Sequence, residues 1–189
     1  IGRSSGEDHD NAAEPGSYLL TEVEENMIRL VAAHFKKFVV VLNVGNIIDL
    51  KFTEKYNVPA FLYAWQGGME GANALADILC GRVSPGGKLP DTQAFDIEDY
   101  PSTANFNDPD HLYYKEDIFV GYRYFETFAK EKVQYPFGFG LTYTSFNIRY
   151  SAKVQNGEIA VTATVQNTGN FAAREVVQVY YGAPCAKLC

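Results

Sequence analysis

The chain has little cysteine, histidine, methionine or tryptophan, and a deficit of positive charge. Three cysteines in 189 residues cannot staple a fold. Their low, odd count fits a reducing compartment better than a disulfide scaffold. Cys185 and Cys189 form a C-x3-C pair, which would need further ligands nearby to hold zinc, and none stands beside it. Cys80, in the apolar helical pattern LADILCGR, is expected to pack as a small buried residue. Lys and Arg number 16 against 23 Asp and Glu, a net charge of −7. That balance argues against a nucleic-acid partner, because phosphate binding needs clustered cations. No apolar run approaches the ~20 residues that span a bilayer, so no membrane partner is expected. No signal-like segment is present, and the chain opens on Ile rather than Met. It is therefore expected to be part of something longer, cytoplasmic by its cysteine usage, with secretion left open. No repeat or low-complexity tract is visible.

Apolar residues are plentiful at 47%, enough for a sizeable core, and Tyr and Phe number 13 each against one Trp. Tyrosine joins ring surface to a hydrogen-bonding tip, which suits polar ring-shaped ligands such as sugars and equally suits protein interfaces. Residues 21–35 read as a helix. Thr21 is the N-cap, Glu24 completes a capping box, and Val23, Met27, Leu30 and Val31 follow helical spacing. FVVVLN, residues 38–43, reads as a strand buried on both faces, and PAFLYAW, 59–65, as a second. QGG breaks it, and Glu70–Leu79 reads as another helix. Such alternation implies an α/β fold, a mainly parallel sheet with helices on both faces. RVSPGGKLP reads as a turn, because its glycines and lysine lack phosphate-loop spacing. Residues 91–116 read as a long loop. DIFVGYRYFE reads as a strand or extended arm, and YPFGFGLTYTSF as ordered loop.

After Phe146 the pattern changes. FNIRYSAKV, EIAVTATVQN and EVVQVYYGA read as strands joined at QNG and NTGN, the start of an antiparallel sandwich. About seven strands make such a domain, and roughly three are here.

The chemistry-bearing stretch is SSGEDHDN, Ser4–Asn11. If Ile1–Arg3 is the tail of a strand, this stretch sits at the carboxyl end of the sheet, where α/β proteins bind ligands. Three readings compete: a solvated acidic loop, a metal site, and a general acid. The calcium-loop spacing is not met. A carboxyl works as a general acid when burial or like charge raises its pKa, and Asp8 and Asp10 are such neighbours for Glu7. Trp65, at the end of a strand, reads either as core or as a wall on which a sugar ring stacks. Glu70 reads as a helix-start charge. His34 and His111 carry no signal, and Ser4 and Ser5 lack any triad context.

Five segments occur in order: SSGEDHDN…EPGSYLLTEVEENMI, VVVLNVGNIID, LYAWQGGMEGANALADILCGRVSPGGKLPDT, YKEDIFVGYRYFETF and YPFGFGLTYTSF. Together they resemble the accessory part of glycoside hydrolase family 3, the β-glucosidase family. The resemblance implies three units. Residues 1–120 correspond to the later part of an α/β sandwich, 121–142 to an aromatic, Gly-rich connection, and 143–189 to an incomplete fibronectin-III-like β-sandwich. It implies a retaining exo-acting β-glycosidase, β-glucosidase first, with β-xylosidase as an alternative on the same scaffold. A noncatalytic sugar-binding or interaction module is the rival of another class. The family's acid/base, in an S-G-E-G-x-D-R-like motif, falls on Glu7. His9 stands where many relatives place an aromatic of the aglycone site, with Asp8, Asp10 and Trp65 as further substrate-binding candidates. Asp8 in place of Gly, and Asn11 in place of Arg, depart from the motif. This G-E-D-x-D-N form resembles a subgroup with the sandwich ahead of the barrel. The nucleophile, an Asp on a (β/α)8 barrel, has no counterpart here. The expected partners are a carbohydrate and that barrel, with homo-oligomers left open, and no cofactor or metal is expected.

Overall fold

The computed structural model describes residues 1–4, 11–106, 108 and 110–182. Its centre is a three-stranded parallel sheet of β1 (Gly2–Arg3), β2 (Val40–Val44) and β3 (Phe61–Tyr63), in that order. Gly2 pairs with Asn43 and Arg3 with Val44, while Val40, Val41 and Leu42 pair with Phe61, Leu62 and Tyr63. Ile1–Arg3 is thus the tail of a strand, as its position before the acidic stretch suggests.

Helix α1 (Glu22–His34) joins β1 to β2 and starts as its sequence dictates. The Thr21 side chain accepts from the Glu24 amide, and Glu24 accepts from the Thr21 amide, a complete capping box. Three glutamates in the first turn face the positive end of the helix dipole. The face turned to the core differs from the expected one. Ile28 is the buried residue, whereas Val23, Met27 and Leu30 are exposed. Helical spacing specifies a stripe, but a helix with apolar residues on two sides leaves its orientation to the sheet.

A short α2 (Phe52–Lys55) joins β2 to β3, and α3 (Gly71–Leu79) follows β3 with Glu70 at its N-cap. Crossovers between sequential parallel strands are right-handed as a rule, which would set α1 and α2 on the same side of the sheet. The core agrees: Ile28 and Phe52 pack with Val40, Leu42, Val44, Ile48 and Leu50. The alternate residues of β2 are less protected, Val41 half-buried and Asn43 exposed. The expected burial of both faces is therefore met on one face among the described residues. Cys80, expected inside, is exposed at the end of α3.

The long segment after α3 carries more order than its composition suggests. β4 (Gln93–Ala94) pairs antiparallel with β5 (Val133–Tyr135), and two 3-10 turns, Ile97–Asp99 and Pro101–Asn105, lie between them in sequence. DIFVGYRYFE is not a strand: Tyr122–Phe128 forms helix α4, preceded by Gly121 at φ 60°. Its alternation suggests period two, but Phe125 and Ala129, four apart, are the buried positions. They pack with Ala94, Tyr100 and Val133, and the Tyr100 and Phe125 rings meet edge-on at 5.4 Å. That contact decides in favour of the helix.

β6 (Phe146–Gln155) and β7 (Glu158–Asn167) form a ten-pair hairpin around Asn156 and Gly157, both at positive φ (53° and 80°). This Asn-Gly type I′ turn matches the strand twist. The third expected strand, EVVQVYYGA, does not form among the described residues. Residues 172–182 run without a strand partner there. Glu175 pairs instead with Lys88 at 2.9 Å, and the Tyr180 ring meets Tyr122 edge-on at 5.8 Å.

Candidate functional site

Parallel strands deliver their carboxyl ends to one edge of a sheet, and that edge is where this chain gathers polar groups. Arg3, Ser4, Asn11, Gly16, Ser17, Val44, Asn46 and Ile47 line one small cleft there. The two ends of the acidic stretch therefore open onto the same cleft. Glu7, Asp8, His9 and Asp10 themselves lie outside the described residues, as do Cys185 and Cys189.

The amino-terminal flank is held by Arg3. Its guanidinium donates to Glu24 twice, at 2.5 Å to Oε1 and 2.6 Å to Oε2. It also donates to the carbonyls of Ser17 (3.1 Å), Leu19 (3.4 Å) and Gly2 (2.9 Å). The forked geometry is the one a carboxylate accepts best. The hydrogen bond from Arg3 lowers the Glu24 pKa from its ordinary 4.5 to about 2, against an opposing push from burial and with help from the Thr21 amide and hydroxyl. Glu24 therefore stays ionised throughout the neutral and mildly acidic range.

The carboxyl-terminal flank is held by Asn11, whose carboxamide donates to the Ile47 carbonyl at 3.0 Å. Beyond it, residues 12–19 form a self-bonded turn. The Ala12 amide donates to the Ser17 hydroxyl (2.9 Å), and the Leu19 amide to the Glu14 carbonyl (3.1 Å). Gly16, at φ 88°, takes the left-handed position this turn requires. Tyr18 is buried at the base of the turn, and its carbonyl accepts from the Asp49 amide at 2.9 Å. Asp49, beyond β2, has its pKa raised, chiefly by burial, and its carboxylate lies 3.8 Å from the Lys51 ammonium.

Trp65 sits just past β3, half-buried, with its ring 4.5 Å from that of Tyr63. Its φ of 55° is a conformation bulky residues adopt rarely. The Tyr63 hydroxyl donates to the Asn46 carbonyl at 2.6 Å, joining β3 to the turn after β2. Gln66, the residue after Trp65, reaches back to the Arg3 carbonyl at 3.5 Å. Trp65 is thus next to the cleft without lining it. Glu70 stands at the N-cap position of α3 and accepts from Asn73 at 2.6 Å.

Arg3, and the second use of Glu24 as its partner, are not visible in the sequence. The capping box explains why Glu24 stands at N3. Nothing in the local spacing reveals that its carboxylate also faces a residue 21 positions earlier. Among the described residues no helix is long and apolar enough to cross a membrane, and no cluster of three or more His, Cys, Asp or Glu is placed to hold a metal ion.

A parallel α/β unit whose strand ends present paired polar flanks is the kind of scaffold that carries catalytic loops. Residues 1–143 match the glycosyl hydrolase family 3 C-terminal domain, and the chain belongs to that family. It is 53% identical to a β-glucosidase of Ruminococcus albus over 188 residues, covering all of this chain and 20% of that enzyme. It is 40% identical to an exo-α-(1→6)-L-arabinopyranosidase of Bifidobacterium longum over 180 residues, covering 94% of this chain and 23% of that one. The structure superposes on a β-glucosidase of Paenibacillus barengoltzii with a TM-score of 0.88 at 48% identity, over 92% of this chain and 20% of the other. The chain thus spans about a fifth of the length of these relatives.

Proposed function

We propose that this chain is the acid/base-bearing portion of a retaining, exo-acting β-glycosidase, a β-glucosidase in the first instance, with Glu7 as the acid/base. The observation that carries the reading is the placement of Ser4 and Asn11. They hold the two ends of SSGEDHDN at the carboxyl edge of the parallel sheet, in a chain of this family.

In a retaining mechanism two carboxyls stand about 5–5.5 Å apart across the scissile bond. One attacks the anomeric carbon. The other donates its proton to the departing glycosidic oxygen, then takes a proton from the water that hydrolyses the glycosyl–enzyme ester. Glu7 fills the second role, Asp8 and Asp10 raise its pKa as like charges, and His9 and Trp65 border the sugar or its leaving group. The nucleophile comes from a barrel outside residues 1–189, in the order suggested by the G-E-D-x-D-N variant. The carboxyl-terminal residues begin a fibronectin-III-like sandwich. The β6–β7 hairpin supports that assignment, because Ile148, Tyr150, Val154, Ile159, Val161 and Val165 share one exposed face. A lone hairpin is marginal in water, and such a face calls for a second sheet.

Glu7→Gln in the full-length polypeptide is expected to lower kcat on a β-linked disaccharide by roughly 10²–10⁴-fold. Azide is expected to restore turnover of an aryl glucoside in Glu7→Ala, and residues 1–189 alone to be inert. Unchanged activity in Glu7→Ala would favour the noncatalytic module, and turnover by the isolated chain would reveal a nucleophile within it. The arabinopyranosidase relative gives weight to a second sugar specificity, so glucoside, xyloside and arabinopyranoside are to be compared.

A further inference from the structure

We propose that Arg3 and Glu24 are a positioning pair for the acid/base, locking the strand end that feeds the Ser4–Asn11 segment to the start of helix α1. The inference rests on the reading of Glu7 as that acid/base, four residues along the chain from Arg3.

Five N–H groups are all that a guanidinium has to give, and Arg3 makes five hydrogen bonds. Two reach Glu24, two reach carbonyls of the turn after the acidic stretch, and one reaches the Gly2 carbonyl within β1. The Arg3 side chain is 12% exposed and that of Glu24 19%, so the pair is shielded from bulk solvent. Glu24 in turn accepts from the Thr21 amide (2.9 Å) and hydroxyl (3.0 Å). One connected network therefore fixes the strand end, the 17–19 turn and the helix cap.

Gly2 and Arg3 pair with Asn43 and Val44 of β2, and the Arg3 side chain ties that strand end to two further elements, the 17–19 turn and α1. Asn11 anchors the other flank through Ile47. With the far flank pinned and the near flank locked by Arg3, the intervening residues have two fixed ends. General-acid catalysis is sensitive to placement, and a displacement of about 1 Å costs on the order of 10²-fold in rate. Lysine can replace Arg3 only in part, because an ammonium lacks the planar fork.

The test separates positioning from general stability through the leaving group. A β-linked disaccharide needs its glycosidic oxygen protonated as the C–O bond breaks, whereas 2,4-dinitrophenolate departs unaided. In the full-length enzyme, Arg3→Ala is expected to lower kcat/KM on the disaccharide by roughly 10–100-fold, a part of what a general acid supplies. The dinitrophenyl glucoside is expected to lose less than about 3-fold, since its departure does not draw on the acid. Glu24→Gln keeps a capping group at N3 while removing the charge, and is expected to show the same selectivity. Arg3→Lys falls between wild type and Arg3→Ala. Should Arg3→Ala fail to fold, Glu24→Gln and Arg3→Lys carry the comparison. Equal losses on both substrates, or none, in variants whose Glu7→Gln counterpart is leaving-group selective would overturn the pair alone. A Glu7→Gln enzyme without that selectivity would overturn the acid/base reading beneath it.

Discussion

Replacing Lys88 tests what holds residues 172–182 where they are. The Lys88 ammonium lies 2.9 Å from the Glu175 carboxylate and donates to the Gly140 carbonyl at 2.7 Å. Both side chains are 14% exposed. Close approach surrounds the pair: a Cβ on Gly86 would stand 3.1 Å from Cβ of Arg174, and one on Gly138 would stand 2.5 Å from the Gln178 carboxamide. Burial pushes the Glu175 pKa up, but the hydrogen bonds from Lys88 and the Val176 amide outweigh it and hold the carboxyl below its ordinary value. Lys88→Met removes the main counterweight and leaves a shielded carboxylate unpaired. Breaking a fully buried pair costs about 3–5 kcal/mol. For this slightly exposed pair the cost is about 2–3 kcal/mol, and it is capped by the free energy of detaching the segment. In the variant Glu175 keeps the upward push of burial, so the penalty stands at pH 7 and is relieved as acid protonates the carboxyl. Limited proteolysis within residues 170–182 reads the detachment directly. Cleavage is expected to accelerate by about 30–160-fold at pH 7, the fold-change those energies imply when cleavage tracks the open population. It should slow again near pH 4. Lys88→Met with Glu175→Leu should restore most of the protection, because two apolar groups leave no charge unpaired. Wild-type cleavage rates in Lys88→Met would refute the reasoning, as would a double variant as labile as the single one.

Two further perturbations address the sheet and its polar edge. Leu42 is fully buried in β2, bonded on both sides by β1 and β3. Leu42→Ala is expected to cost about 3–4 kcal/mol, and a loss below about 1 kcal/mol by denaturant titration would show that this core is not packed as described. Glu24 has a depressed folded pKa, about 2 against 4.5. Its ion pair therefore stabilises the protein above pH 4.5, and that stability is lost as pH falls from there toward 2. The depression corresponds to about 3 kcal/mol at face value, reduced to about 1–2 kcal/mol by solvent screening. The stability gap between wild type and Glu24→Gln should close between about pH 5 and pH 2.5, and a gap independent of pH would remove the pair from the account.

Short-range rules are legible wherever one local pattern stands unopposed. The capping box at Thr21 and Glu24, the β-branched run at Phe38–Asn43 and the Asn156-Gly157 turn each specify a local geometry, and each is present, the strand itself spanning Val40–Val44. Legibility fails where two patterns share one segment. Ile118, Val120, Tyr122 and Tyr124 alternate as a strand would, while Phe125 and Ala129 are spaced as a helix would have them. Only the place taken by Phe125 against Tyr100 and Ala94 settles the matter. On α1 the stripe Val23, Met27 and Leu30 is visible, but which side meets the sheet is not. At the candidate site the motif singles out Glu7 by resemblance. The residues bracketing it emerge only when β1 and α1 are set side by side, because Arg3 and Glu24 are distant in sequence.

Alternation becomes a ladder only where a partner strand stands beside it, as two segments near the carboxyl terminus show among the described residues. Ile148, Tyr150, Ala152 and Val154 lie on one face of β6, opposite Val165, Ala163, Val161 and Ile159 of β7. The partner strand is reached through a two-residue turn whose positive φ angles are already favoured by Asn156 and Gly157, so pairing costs little loop entropy. Val177, Val179 and Tyr181 alternate equally well but have no such turn before them. NTGN leads instead through residues 168–174 to Glu175, whose carboxylate meets Lys88. The connection therefore accounts for the β6–β7 ladder among the described residues. A two-residue turn commits β6 and β7 to each other, and residues 172–182, which have no strand partner among the described residues, lie against Lys88 and the loops around Gly86 and Gly138.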